Sequence, residues 1–135
     1  MSTILVDNLT GKTSAGSITV TSEGGAATQS LQQGLAKHWV RFIGSGTAAI
    51  LDSLSASSLT DNGTGDYDIN YTNSMNNNTY AVPAGCNGDG SGYNRAISIN
   101  AVATGSHDII TFITDTANIK ADLDIITTAV FGDLA

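Results

Sequence analysis

The stretch "SSLTDNGTGDYDINYTNSM", residues 57–75, decides the fold. Its second half alternates between apolar and polar side chains, which is the period of a half-buried strand. Tyr67, Ile69 and Tyr71 are therefore expected on a buried face, with the intervening Asp and Asn side chains in solvent. Just before them, Asn62 and Gly63 tolerate a positive φ and predict a tight turn. The stretch predicts an antiparallel hairpin.

Similar patterns lie on both sides of this hairpin. "HWVRFIG" alternates, with His38, Val40 and Phe42 on one face and Trp39, Arg41 and Ile43 on the other. The segment "TAAILDSL" follows it. Further strand signals are "RAISINAVA", "DIITFITDT" and "DLDIITTAVFG". Turn residues recur between short strands, and a helical period is almost absent. We predict an all-β fold, either a β-sandwich or a small barrel-like domain, of about seven or eight short antiparallel strands.

A long loop is predicted at residues 73–94, between the hairpin and the later strands. It contains "NSMNNNT" and the glycine-rich "GCNGDGSGYN", with a short β-like piece "TYAVP" between them. Loops of this length often carry binding residues. Tyr80, Asp89 and Tyr93 are accordingly the candidates for contact with a ligand, and packing within the protein is the alternative for the two tyrosines.

Residues 1–35 are predicted to be an N-terminal arm used for attachment or oligomerisation, and residues 36–135 to be the β-domain. The arm has two short strand patterns, "TILVD" and "SITVTS", and a short helix pattern around Leu31. It has too few large apolar residues for a core of its own. We therefore expect its apolar side chains to be buried against another subunit. These are Ile4, Leu5, Val6, Ile18 and Val20.

Composition narrows the classes of function. Of the 135 residues only 13% are charged, against about 25% in typical soluble domains. The formal net charge of −7 predicts repulsion of phosphate backbones and of anionic membranes, so neither nucleic acid nor membrane is an expected partner. Cys86 is the only cysteine, which excludes an intrachain disulfide. The start "MSTILVDNLTGK" lacks the features of a signal peptide, and synthesis in a cytosol is expected.

The motifs that suggest chemistry are incomplete. "GKTS" at residues 11–14 has Val6 where a phosphate loop needs glycine. The aspartates of "DNGTGDYD" and "NGDGSG" do not follow a calcium-loop pattern. His38 and His107 lack zinc-ligand spacing, and no G-x-S-x-G elbow is present. The sequence therefore predicts no enzyme, no cofactor and no metal.

Aromatic side chains offer one further possibility for binding. Trp39, Tyr67, Tyr71, Tyr80 and Tyr93 are of a type that stacks on sugar rings. Packing in the core or at its rim is the alternative for all five.

Three segments resemble a known family. They are "ILVDNLTGKTSAGSITVTSEGGAATQSLQQGLAKHWVRF", "GTAAILDSLSASSLTDNGTGDYDINYTNSM" and the closing "ITTAVFGD". They resemble a module that recurs in virion proteins of tailed, notably marine, bacteriophages, where it occurs in fibre-like or decoration proteins. The resemblance covers nearly the whole chain except residues 83–93.

The resemblance implies a structural protein of the virion, a homotrimer that contacts other virion proteins and is made in the cytoplasm of the bacterial host. Because the chain has no long shaft, we expect a capsid decoration or head-fibre protein at the particle surface. The alternative is a tail-fibre or receptor-binding module that recognises a glycan of the host surface.

Overall fold

The structure is a computed structural model that describes residues 3–14, 16–87, 94–115 and 117–135. These residues form eleven strands, which pair antiparallel, and one helix of four residues. Within the same ranges no helix is long and apolar enough to cross a membrane. The predicted all-β fold is confirmed. The chain divides into two compact units, Met1–Leu35 and Ala36–Ala135.

The first unit contains a two-stranded ribbon and a single helical turn. β1 (Thr19–Thr21) pairs with β2 (Thr28–Ser30), and α1 (Leu31–Gly34) follows directly. The Ser30 hydroxyl caps α1 by accepting a hydrogen bond from the backbone N–H of Gln33 at 3.4 Å. The strand predicted at residues 3–7 is wrong. Among the described residues this segment has no neighbouring strand to complete its backbone hydrogen bonds.

Nine described strands build the second unit. They are β3 (Ala36–Ile43), β4 (Ala49–Leu54), β5 (Ala56–Gly63), β6 (Asp66–Tyr71), β7 (Ala84–Asn87), β8 (Arg95–Ala103), β9 (Ser106–Ile113), β10 (Ile119–Lys120) and β11 (Ile125–Phe131). One sheet has the order β4-β3-β11-β7. The other has the order β10-β9-β6-β5, with β8 also paired to β9. The chain passes from the first sheet to the second through Ser55, whose φ is 62°.

The two sheets pack face to face, which is the sandwich alternative of the prediction. Strands β3, β6, β9 and β11 each alternate between buried and more accessible residues, so each sends one set of side chains inward. The rings of Phe42 and Tyr67 meet edge to face across the interior, 5.2 Å between centroids. The buried apolar core is Val40, Phe42, Tyr67, Ile69, Tyr71, Met75, Ile109, Leu123, Ile126 and Val130.

The hairpin of β5 and β6 forms as predicted, but its turn lies two residues further along the chain. Gly63 pairs with Asp66, so the turn is Thr64 and Gly65, and Asn62 falls at a register shift. Gly65 has a φ of 66°, and a Cβ added there would lie 2.6 Å from the carbonyl oxygen of Thr111. Contacts with a neighbouring strand therefore favour the second glycine over the local Asn-Gly signal.

The predicted loop at residues 73–94 contains a strand that the sequence pattern missed. β7 pairs with β11 over four residues, and Gly85 lies opposite Thr127. The β-like piece "TYAVP" contributes only an isolated bridge between Ala81 and Phe131. Small residues have weak strand propensity, and β7 exists because β11 offers it an unpaired edge.

Candidate functional site

The predicted interface residues of the first unit are accessible in the single chain. Ile4 is 81% exposed, Leu5 90%, Val6 56% and Val20 49%. Ile18 is half-buried. No residue of the described ranges 3–14 and 16–35 belongs to the buried class. The first unit therefore presents apolar surface that it does not cover itself.

Of the three predicted ligand residues only Tyr80 is described, because Asp89 and Tyr93 lie outside the described residues. The Tyr80 hydroxyl lies 2.9 Å from the Tyr71 hydroxyl and donates to the carbonyl oxygen of Ala103 at 2.7 Å. It is also within 2.9 Å of a second carbonyl, that of Ser106. Burial raises the pKa of Tyr80. These contacts place Tyr80 in the packing role that the sequence left as its alternative.

Tyr67 and Tyr71 are core residues and offer no face to a sugar. Tyr67 is 0% exposed, and Tyr71 is 8% exposed. The Tyr67 hydroxyl donates to Oδ1 of Asp122 at 2.6 Å, and the same oxygen accepts from the backbone N–H of Gly65 at 2.7 Å. Burial and this carboxylate raise the pKa of Tyr67. The contact ties the β5–β6 turn to the segment before β11.

A polar network of two histidines and two tyrosines lies between the sheets. Nδ1 of His107 is 2.7 Å from the Tyr71 hydroxyl, and its Nε2 is 3.0 Å from Oγ1 of Thr128. The Tyr80 hydroxyl extends the network from Tyr71. The ring of His38 lies 4.7 Å from that of Tyr71 between centroids, and neither of its nitrogens has a hydrogen bond of normal geometry.

Burial determines the charge of this network. It lowers the pKa of His107 to about 4, with the nearby His38 acting in the same direction. It also lowers the pKa of His38, although the backbone of Ser55 opposes that shift. Both rings are therefore neutral at pH 7. Each ring is only 1% exposed, so a substrate cannot reach it and the network connects the two sheets instead.

The aspartates of the hairpin lie on the outer face of the second sheet. Asp66 forms an ion pair with Nζ of Lys120 at 2.6 Å. Asp68 lies opposite Asp108 on β9. Desolvation and these like charges raise the pKa of Asp108, while Asn100 and Lys120 oppose the shift. Among the residues that the structure describes, no three His, Cys, Asp or Glu side chains are arranged to hold a metal ion.

The outer face of the first sheet carries a shallow trough of about 380 Å³, which we call the Trp39 trough. Across the strands, Trp39 lies opposite Ala129, and Arg41 lies opposite Thr127. Thr127 in turn lies opposite Gly85 on β7. The residues that line the trough include Trp39, Arg41, Pro83, Gly85, Thr127 and Ala129. Small residues form its floor, and the indole forms one wall.

Apolar side chains extend this surface toward β4. Leu51 is 55% exposed and Leu54 is 44% exposed, and Leu54 is the cross-strand partner of Trp39. The alternation of "HWVRFIG" already separates Trp39 from the residues of the opposite face, and in the structure Trp39 lies on the outward face. The small residues opposite it come from the strand that the sequence pattern missed. The trough could therefore not be assembled from the sequence.

No protein-family model, no curated protein and no solved structure matches this chain. The function must therefore be argued from the chain's own surfaces. Two of these are unusual for an isolated domain: the open apolar face of the first unit and the Trp39 trough.

Proposed function

We propose that the chain is a structural subunit of a tailed-bacteriophage virion that assembles as a homotrimer and decorates the capsid or extends from it as a head fibre. The observation that carries this proposal is the exposure of large apolar side chains in the first unit. They are Ile4, Leu5, Val6, Leu9, Val20 and Leu35.

Such a surface is unfavourable in a free monomer. Burying a Leu, Ile or Val side chain contributes about 1.5–3 kcal/mol relative to leaving it in water. Six such residues lie within 35 positions, in a unit that has no buried residue among those described. Exposed apolar side chains at this density are typical of a segment that contacts another polypeptide. A further copy of the same chain is the simplest partner, since most soluble oligomers are symmetric homo-oligomers.

The second unit is suited to display. Its sandwich has an apolar core of its own between the two sheets. Its low charge and its polarity from Thr, Ser, Asn and Gly fit a surface that packs on other protein. The resemblance of residues 4–42, 46–75 and 126–133 to fibre-like and decoration proteins supports the particle surface as its place.

Two measurements test this function. Light scattering should give three times the chain mass of 13.8 kDa, about 41 kDa. Quantitative mass spectrometry of purified particles of the phage that encodes the chain should find many copies per particle, as for a head protein. A monomer at micromolar concentration, or absence from the particle, would overturn the proposal.

The alternative, a tail-fibre or receptor-binding module for a host glycan, is favoured by one observation. Trp39 is 36% exposed beside a trough of small residues, where a sugar ring has space to stack. A few copies per particle, together with glycan-array binding that Trp39→Ala abolishes, would support this alternative over a capsid protein.

A further inference from the structure

We propose that the Trp39 trough of one copy receives residues 3–9 of a second copy. This inference rests on the assembly proposed above and names the contact that builds it. The segment "TILVDNL" and the trough are the two accessible apolar surfaces of the chain that have complementary character.

The trough has room for an apolar strand. Its floor consists of Ala129 and Gly85. Of the two threonines that line it, Thr128 is buried, and the hydroxyl of Thr127 already donates to the carbonyl oxygen of Gly85 at 3.2 Å. It crosses three adjacent strands, which is about 10 Å at the usual strand spacing. About three residues of extended chain span that distance. Ile4, Leu5 and Val6 provide such a stretch.

The segment is available for binding. Ile4 and Leu5 are more than four-fifths exposed, and Leu9 is 64% exposed. Among the described residues, no hydrogen bond involves the backbone of residues 3–10, although "ILV" has high strand propensity. An extended segment with exposed apolar side chains is able to pack on an apolar surface of another polypeptide.

The charges of the two surfaces are complementary. Asp7 is the only ionisable side chain of residues 3–9, and Arg41 is the only one that lines the trough. Neither forms an ion pair with another described residue. Docking would bring this carboxylate beside this guanidinium at the rim of an apolar contact. A glycan would satisfy Arg41 but would leave the apolar segment uncovered.

The proposed contact also explains how the assembly closes. An arm that binds the next subunit makes a head-to-tail contact, and such contacts generate rings when the rotation closes. Each copy then donates one arm and receives another. Three copies give the smallest ring that differs from a two-fold dimer.

Disulfide trapping between two single-cysteine chains tests the contact. The native thiol is removed from both full-length chains by Cys86→Ala. One chain then carries Val6→Cys and the other Gly85→Cys, whose backbone φ does not require glycine. Mild oxidation of the mixture should give a covalent pair of the two different chains, since a disulfide needs Cα atoms within about 7 Å. The control replaces Val6→Cys by Ala26→Cys, which is exposed in the same unit outside the segment.

A second experiment fills the trough with a larger side chain. A Cβ at Gly85 would lie 3.4 Å from Oγ1 of Thr127, which is ordinary contact, so Gly85→Leu should fold while it occupies the floor. It should lower the mass in light scattering toward that of one chain. Ala101→Leu, on an exposed position of the other sheet, should leave the oligomer unchanged.

The outcomes separate the two proposals. A mixed disulfide several-fold above the control, together with a loss of oligomer in Gly85→Leu, supports the docking. An intact oligomer that gives no mixed disulfide and tolerates Gly85→Leu overturns the docking but leaves the assembly. A wild-type chain that is monomeric in light scattering overturns the assembly itself. Glycan binding lost in Gly85→Leu, with the oligomer intact, also overturns the docking and assigns the trough to a sugar.

Discussion

Acidification should destabilise the second unit through His107, and the size of the effect follows from its burial. The pKa of this histidine falls from its ordinary value of 6.5 to about 4 in the folded chain. A group with a lowered folded pKa contributes its stability fully above the unfolded value, and this is lost as the pH falls toward the folded value. Between about pH 7 and about pH 5, His107 becomes protonated in the unfolded chain but stays neutral in the native chain.

The free energy of unfolding should fall by about 2 kcal/mol over this interval. The unfolded histidine is protonated below its pKa of 6.5, so about 1.5 pH units contribute, at 1.36 kcal/mol for each unit. His38 adds a loss of the same sign, because burial lowers its pKa as well. Unperturbed aspartates titrate near 3.9, so the interval lies mostly above them. The uncharged groups that contact His107 are the hydroxyls of Tyr71 and Thr128, which do not titrate in this range.

Urea unfolding at the two pH values, followed by the fluorescence of Trp39, measures the effect, since Trp39 is the only tryptophan and lies in the second unit. The matched variant is His107→Gln, which keeps a donor and an acceptor but does not titrate. Its loss between the two pH values should be about 2 kcal/mol smaller than that of the wild type. Equal losses in both proteins would show that His107 takes up its proton in the folded chain as readily as in the unfolded chain, and the reasoning from burial would be refuted.

Three further predictions concern the turn, the arm and the network. Gly65→Ala should lower the melting temperature more than Gly63→Ala, because both positions have positive φ but only Gly65 lacks space for a Cβ; Gly63→Val should cost about 1–2 kcal/mol, and unchanged melting of both positions would contradict the assigned turn. Deletion of residues 2–22 should give a less stable or monomeric protein in light scattering, and a tight trimer would contradict a role of the arm in assembly. Tyr80→Phe should cost about 1–3 kcal/mol in urea unfolding, because it removes the donor to two carbonyl oxygens and a partner of Tyr71; a cost near zero would show that the hydroxyl is not structurally important.

Period-two alternation was sufficient to predict the strands with one buried face. In β6 every inward residue was identified correctly, and in β3 the two faces were separated correctly, because a strand with one face in the core must alternate. The same rule does not predict a strand that forms only because a neighbouring strand pairs with it. β7 has no such alternation, and only the edge of β11 explains it. Residues 3–7 have the opposite combination, strong strand propensity without a partner in the described chain.

The predicted position of the hairpin turn was wrong for a related reason. Asn62 and Gly63 form the stronger local signal, but the chain turns at Gly65, where Asp122 and Thr111 supply the hydrogen bonds. These two residues are more than 40 positions away in sequence. The histidine network could not be predicted either, because His38 and His107 belong to different sheets and meet only when the sheets pack.

The network and the trough are two sides of the same pair of strands. On β3 and β11, the inward pairs include Val40 with Thr128, and the neighbouring outward pair is Trp39 with Ala129. A shift of one residue in the pairing of β3 with β11 would exchange the inward and outward side chains. The indole of Trp39 would then point into the core, and the side chains of the network would point into solvent. The hydrogen bond between His107 and Thr128 opposes such a shift, because it fixes β11 against the second sheet. The buried network therefore maintains the register on which the outer trough depends, and this gives an inaccessible pair of histidines a role in the surface proposed for assembly.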